Sequence, residues 1–216
     1  MKYKHIAIEG NIGSGKTTLA KMLASDYNMK LILEEFDDNP FLPNFYKNPE
    51  KNVLPLELFF LAERYNQLKK NQEKDLFQSS LISDYFFIKS KLFAQNNLKD
   101  DELQLFNRLF DIMCSSILVP DLVVYLYSDI IKLQSNIKKR GRIFEQNISN
   151  DYLQNLQSIY LDYLKKQDVF PVLILDITDV DFVLDMNIYT LIKEFLSMSY
   201  DKGVYNKILK NQSQSL

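Results

Sequence analysis

A chain of 216 residues with 46% apolar and 25% charged side chains has the composition of an ordinary globule able to bury a real core. A formal net charge of −2 gives no electrostatic case for nucleic-acid binding, and no apolar run approaches the roughly 18 residues of a membrane span. One cysteine, Cys114, and one histidine, His5, exclude a disulfide framework and any Cys/His zinc site. Met1-Lys2-Tyr3-Lys4 enters an apolar stretch almost at once, so no secretory leader is expected and the reading is cytoplasmic.

The first apolar run, His5-Ile6-Ala7-Ile8, leads into Gly10-Asn11-Ile12-Gly13-Ser14-Gly15-Lys16-Thr17 and then into a helical pattern over about 16–26. This is the strand, glycine loop and helix order of the P-loop, G-x-x-x-x-G-K-[ST]. Three of the chain's five glycines lie in these eight residues. Such a loop lets backbone N–H groups approach a polyphosphate and points the positive end of a helix at the same anion. Lys16 is expected to reach the terminal phosphates, the Thr17 hydroxyl to ligate Mg²⁺, and Thr18 to complete the ATP-binding stretch. A bound nucleoside triphosphate follows, but not what is done with it.

Lys30-Leu31-Ile32-Leu33-Glu34 reads as a short buried strand ending in acid. The prolines and Asx cluster of residues 35–43 then force a turn. A long helix is predicted from about Glu50 to Asn71, with Leu54, Leu58, Leu61, Tyr65 and Leu68 at intervals of three and four, and Pro55 in its first turns. Leu81-Ile82 form another strand that stops at Ser83-Asp84, followed by a helix through about Phe93. A second long helix, about 100–118, carries Leu103, Phe106, Leu109, Phe110, Met113 and Ile117 on one face, with Cys114 as core filler. Asp121–Leu126 is a strand, and the next helix ends in Lys138-Lys139-Arg140-Gly141-Arg142. A helix over Asp151–Lys166, a strand over Pro171–Leu175 and a final helix at roughly 181–197 complete the pattern. Near-continuous apolar strands alternating with helices mean a parallel sheet covered on both faces. The expectation is an α/β fold with five strands in one domain spanning 1–200, and a frayed tail over 201–216.

Ligands of such sheets bind beyond the carboxyl ends of the strands, where the Gly10 loop, Glu34 and Asp84 fall. An acid beside a bound metal suits a magnesium ligand, and a second suits a base for an attacking hydroxyl. Glu34 is otherwise a solvated loop acid. Glu34, Glu35, Asp37 and Asp38 would repel an acceptor phosphate, which favours a neutral alcohol as acceptor. Glu57 and Arg64, seven apart, share a helix face with Leu61 and Leu68, and charge on an apolar face needs a partner. They line a pocket for a nucleobase edge or form a structural salt bridge. The basic run at 138–142 is a solvated helix end or a mobile lid whose guanidiniums meet the transferring phosphoryl group.

Ile6–Lys16, the acidic segment through Asn39-Pro40, Phe59-Phe60-Leu61-Ala62-Glu63-Arg64, and Lys139-Arg140-Gly141-Arg142 with Glu145 resemble the deoxynucleoside kinase family, in order, over most of residues 4–182. The resemblance implies a three-layer P-loop kinase fold with a short basic lid at about 138–150, transfer of the γ-phosphoryl of ATP to the 5′-hydroxyl of a deoxynucleoside with Mg²⁺, and a homodimer. Position by position it implies Glu34 as base, Tyr46, Glu145 and Tyr152 as sugar contacts, Arg64 as a base contact, and Arg140 and Arg142 as lid arginines. Three departures stand out. Glu57 replaces the usual base-reading glutamine, Asn136 replaces an upstream lid arginine, and Ser83-Asp84-Tyr85 replaces an acid-Arg-Ser motif. Asp84 then matches the acid of that motif, with Thr17 as its partner on Mg²⁺. A one-residue shift instead puts Asp84 at the arginine and Lys89 at a later base-side aspartate. The rival readings are a P-loop kinase acting on a nucleoside monophosphate or small metabolite, and a GTP-controlled module. The latter lacks N-K-x-D and D-x-x-G motifs.

Overall fold

The computed structural model describes residues 2–35, 39–42, 45, 52–74 and 80–210. Tyr46, the candidate sugar contact, and Glu50, the expected start of the long helix, lie outside the described residues. Strands β1 (His5–Gly10), β2 (Lys30–Ile32), β3 (Leu81–Ser83), β4 (Leu122–Tyr127), β5 (Pro171–Asp176) and β6 (Gly203–Ile208) form one sheet in the order β2-β3-β1-β4-β5-β6. Every pairing is parallel. The described helices are α1 (Lys16–Tyr27), α2 (Val53–Lys74), α3 (Lys89–Asn97), α4 (Asp100–Cys114), α5 (Ile130–Arg140), α6 (Asn150–Lys166) and α7 (Met186–Ser197).

Alternate side chains of each strand point to opposite faces, and both faces are covered. Ile6 and Ile8 of β1, with Val124 and Leu126 of β4, pack with Leu19 and Leu23 of α1 and Ile188 and Ile192 of α7. Ala7, Val123, Tyr125 and Ile174 face the other way, against Leu61 of α2, Leu92 of α3, Phe106 of α4 and Leu156 of α6. Helix starts follow local chemistry. Asp129 accepts from the Lys132 N–H at 2.7 Å to open α5, and Ser149 accepts from the Tyr152 N–H at 3.1 Å to open α6.

Among the described residues the sheet has six strands, not five. Residues 203–208, expected in a tail, pair with β5 from Pro171↔Gly203 to Asp176↔Ile208. This is an edge strand whose mixture of Val204, Tyr205, Asn206 and Lys207 hides it among polar residues. The last helix begins at Met186 rather than near 181, because Asp181 first accepts from the N–H groups of Val183 and Leu184 and holds a turn. The hydroxyls of Ser115 and Ser116 bond back to the carbonyls of Ile112 and Met113, where α4 gives way four residues short of the expected limit.

Candidate active site

The loop between β1 and α1 can close only with glycine. Gly13 has φ +83°, and a Cβ there would lie 2.7 Å from the Leu133 carbonyl oxygen. A Cβ on Gly10 would meet the Leu126 carbonyl oxygen at the same distance. Side chains brace the loop from outside: Asn136 Nδ2 donates to the Gly13 carbonyl and Asn11 Nδ2 to that of Leu153, each at 2.8 Å. Gly15 precedes α1 without a side-chain cap, so the helix opens with N–H groups available to an anion. Lys16 Nζ folds back on the Asn11 carbonyl at 2.8 Å; burial, then repulsion from Lys89, pushes its ammonium down to about 8.

Thr17 and Asp84 meet directly. Thr17 Oγ1 donates to Asp84 Oδ2 at 2.7 Å, while Asp84 Oδ1 accepts the Glu34 N–H at 2.7 Å. The end of β3 is thereby tied both to the P-loop and to the end of β2. Glu34 is the hub of the acceptor side. Its Oε1 accepts from Arg64 Nε at 2.8 Å and Nη2 at 2.6 Å, and its Oε2 from Lys89 Nζ at 2.6 Å. Burial alone would raise this carboxyl, but the charges and hydrogen bonds of Lys89 and Arg64 hold it well below the usual carboxylate range. Arg64 Nη1 also donates to Ser90 Oγ at 2.8 Å, and the guanidinium stacks over Phe60 at 4.8 Å. The reading of Glu57 and Arg64 as a salt bridge to one another does not hold, since the partner of Arg64 is Glu34 and that of Glu57 is Asn97; both side chains instead border one cavity.

Two of the cavities that border the P-loop share Lys16. The larger of these two, about 550 Å³, runs from Gly13–Thr18 to Lys139 and the wall formed by residues 180–184. The smaller, about 110 Å³, is lined by Glu34, Glu57, Arg64, Asp84, Lys89, Glu145 and Tyr152. Lys16, Thr17, Arg140 and Arg142 border both. The arginines are held at this junction by Glu145, which pairs with Arg140 and, at 3.1 Å, with Arg142 Nη1. Of the expected ATP-binding residues, Gly13, Ser14, Gly15, Lys16, Thr17 and Thr18 border the larger cavity. Ile12 instead borders the smaller one, and Gly10 and Asn11 brace the loop.

A family model described as deoxynucleoside kinase matches residues 6–197. The chain belongs to that family. It is 37% identical to a deoxyguanosine kinase of Bacillus subtilis over 83% of this chain and 89% of that protein. It is 31% identical to a deoxyadenosine/deoxycytidine kinase of the same organism over 91% and 93% of the two chains. Among solved structures, a deoxyadenosine kinase from M. mycoides with bound dCTP superposes with a TM-score of 0.74 at 25% identity, covering 90% of this chain and 100% of that one. The chemistry of this kinase family is ATP-dependent phosphoryl transfer to a deoxynucleoside.

Three contributors were not singled out from the sequence. Glu9, 2% exposed, accepts from the Gly10 and Phe86 N–H groups and from the Tyr160 hydroxyl, locking the P-loop to the segment after β3. Burial raises its carboxyl. An acid set between the apolar run Ile6–Ile8 and Gly10 was the available signal. Lys132 Nζ donates to the carbonyls of Ile177, Thr178 and Val180, and so fixes the far wall of the larger cavity. Phe182 approaches Gly15 from that wall. Neither has a motif, because their role depends on chain folding back from residue 177.

Proposed function

We propose that the protein transfers the γ-phosphoryl group of ATP to the 5′-hydroxyl of a deoxynucleoside, in nucleotide salvage, with the P-loop cavity as donor site and the smaller cavity as acceptor site. The observation that carries this reading is the shared border: Lys16, Thr17, Arg140 and Arg142 lie between a phosphate cradle and a pocket of buried polar side chains. A group transferred from one cavity to the other must pass these residues, three of them cationic. Lys16 and the two arginines stabilise the charge spread over the moving phosphoryl, and the segment of about 138–150 is the lid that carries Arg140 and Arg142.

Glu34 receives the 5′-hydroxyl. Among the described residues its Oε2 has one partner, Lys89, which leaves a lone-pair site for the incoming O–H. A carboxylate held so low is a weak base in the ground state, so it orients the hydroxyl and takes the proton late, as the bond to phosphorus forms. Glu145 and Tyr152 border the sugar end of the same cavity, with Tyr46 assigned there by family position. The oxygens of Thr17 and Asp84 fit Mg²⁺, which needs only one or two protein oxygens when substrate phosphates and water complete its shell. Bound there, the metal supplies charge neutralisation at the phosphates.

Replacing Glu34 with Gln should leave ATP affinity intact and lower turnover by about 10²–10⁴-fold. Near-normal turnover would remove Glu34 from the chemistry. The protein is further proposed to work in the cytoplasm as a homodimer. No helix among the described residues is long and apolar enough to cross a membrane. The solvent side of α4 carries Leu105, Leu109 and Ile112, spaced by one and two turns and 37–71% exposed, a stripe that a second copy would cover. A purely monomeric chain by sedimentation at micromolar concentration would refute the dimer.

A further inference from the structure

Phosphoryl transfer makes no use of Glu57. It borders the acceptor cavity from α2 at 2% exposure. Its Oε1 accepts from Asn97 Nδ2 at 2.6 Å, and its Oε2 is buried without a hydrogen-bond partner among the described residues. A buried carboxylate oxygen left bare is costly, and its cost is relieved if a ligand supplies the missing donor. Ionised, the group can only accept. Arg64, on the same helix face, and Lys89, on α3, can only donate. The wall of the cavity therefore offers an acceptor and, within the same pocket, fixed donors. Phe60 and Phe93 border the pocket and give a flat ring apolar surfaces to lie against.

The edges of the four bases answer this pattern differently. Guanine presents N1–H and N2–H₂ side by side, then the acceptors O6 and N7, the pair that guanidinium groups recognise. Adenine sets its N6–H₂ beside the lone pair of N1, and cytosine sets N4–H₂ beside that of N3, so each turns one acceptor toward a carboxylate. Thymine has one N–H between two carbonyls. Guanine alone offers two adjacent donors. We propose that Glu57 is the specificity-determining residue and that it makes deoxyguanosine the preferred acceptor. The bare Oε2 and the remaining lone pair of Oε1 take N1–H and N2–H, and O6 faces the cationic side of the pocket. This rests on the deoxynucleoside kinase reading above.

The test is an ATP-coupled measurement of kcat/KM on deoxyguanosine, deoxyadenosine, deoxycytidine, thymidine and 2′-deoxyinosine, which keeps N1–H and lacks the N2 amino group. Deoxyguanosine should lead, with deoxyinosine about tenfold lower for the lost charge-assisted hydrogen bond. Glu57→Gln preserves size and adds a donor, so it should lower deoxyguanosine, raise deoxyadenosine and change their ratio by roughly 10²-fold. Preference for another base, equal use of deoxyguanosine and deoxyinosine, or an unchanged ratio in Glu57→Gln overturns the assignment while leaving the kinase standing. The comparison of the two natural-size purines on the unmodified chain does not depend on the variant's folding. Turnover of none of the five overturns the activity itself.

Discussion

The donor and acceptor halves of the site are built by opposite means. The donor half is mostly backbone: a glycine loop whose conformation no side chain tolerates, a helix opening without a cap, and braces from Asn11, Asn136 and Lys132 that bond to carbonyls. The acceptor half is mostly charge. Glu34, Arg64 and Lys89 come from three separate stretches of chain and neutralise one another in a buried cluster. A backbone cradle suits a phosphate chain common to every reaction cycle, because it depends on no residue that could discriminate. A cluster of side chains suits a variable acceptor, because each polar atom must be matched and mismatches are costly. Between them stand Thr17 and Asp84, which belong to one half by sequence and to both by contact.

That junction offers the largest perturbation. Asp84→Asn keeps one acceptor oxygen for the Glu34 N–H, turns an amide N–H toward the Thr17 hydroxyl oxygen, and deletes the charge. Turnover should fall by about 10²–10³-fold, the cost of losing one preorganised electrostatic partner of a developing charge. The Mg²⁺ concentration for half-maximal rate should rise as well. Unchanged Mg²⁺ dependence would separate Asp84 from the metal and favour the alternative register, with Asp84 at the family's arginine position.

A smaller effect is expected from Lys89→Met, which tests whether the acceptor half is held by mutual charge. Removing one partner of a buried ion cluster costs about 3 kcal/mol, near the low end for such pairs because Arg64 still holds Oε1. Lys89 is also the foremost charge holding the Glu34 carboxyl down against burial. Its loss should let that carboxyl rise, so the acid limb of kcat/KM should move to higher pH by about 1–3 units. Chemical denaturation and a pH–rate profile read the two effects separately. An acid limb that stays put would mean that Glu34 is not the group titrating in the rate.

The same division governed what could be read from sequence. The P-loop is eight contiguous residues, so its geometry was legible before any fold was known, and the structure places Gly13–Thr18 along one cavity. Strands β1, β4 and β5 were legible as apolar runs because both of their faces are covered. Strand β6 was not, since its edge position leaves polar residues in the pattern. On the acceptor side, spacing put Glu57 and Arg64 on one face but could not say that Arg64 would turn to Glu34 and Glu57 to Asn97. Those choices depend on how α2 packs against the end of β2 and against α3, contacts thirty and forty residues apart in the chain. Glu9 and Lys132 escaped for the same reason, as their partners come from the segment after β3, from α6 and from the 177–180 turn.

The smallest expected effect concerns Glu57, an acceptor-side carboxyl with no ion pair among the described residues. Burial, with some repulsion from Glu34, pushes the Glu57 carboxyl up to about 7, against the opposing Asn97 hydrogen bond and the charges of Arg64 and Lys89. Tyr152, the remaining titratable group facing it from α6, is itself raised by burial and stays neutral through this range. Above pH 7 the carboxylate accepts from guanine. Below it the neutral acid carries one O–H donor and one carbonyl acceptor, the complement of the N1 and N6 edge of adenine. At one unit below this pKa about a tenth of the groups are ionised, so the deoxyguanosine-to-deoxyadenosine ratio of kcat/KM should fall by up to about tenfold between pH 8 and pH 6. Titration of Lys16, pushed down to about 8, acts on both substrates and cancels in the ratio. Glu57→Gln should make the ratio independent of pH. A ratio that stays flat in the unmodified chain would mean that the carboxyl does not titrate against the base, and the difference between the two halves would then lie in shape rather than charge.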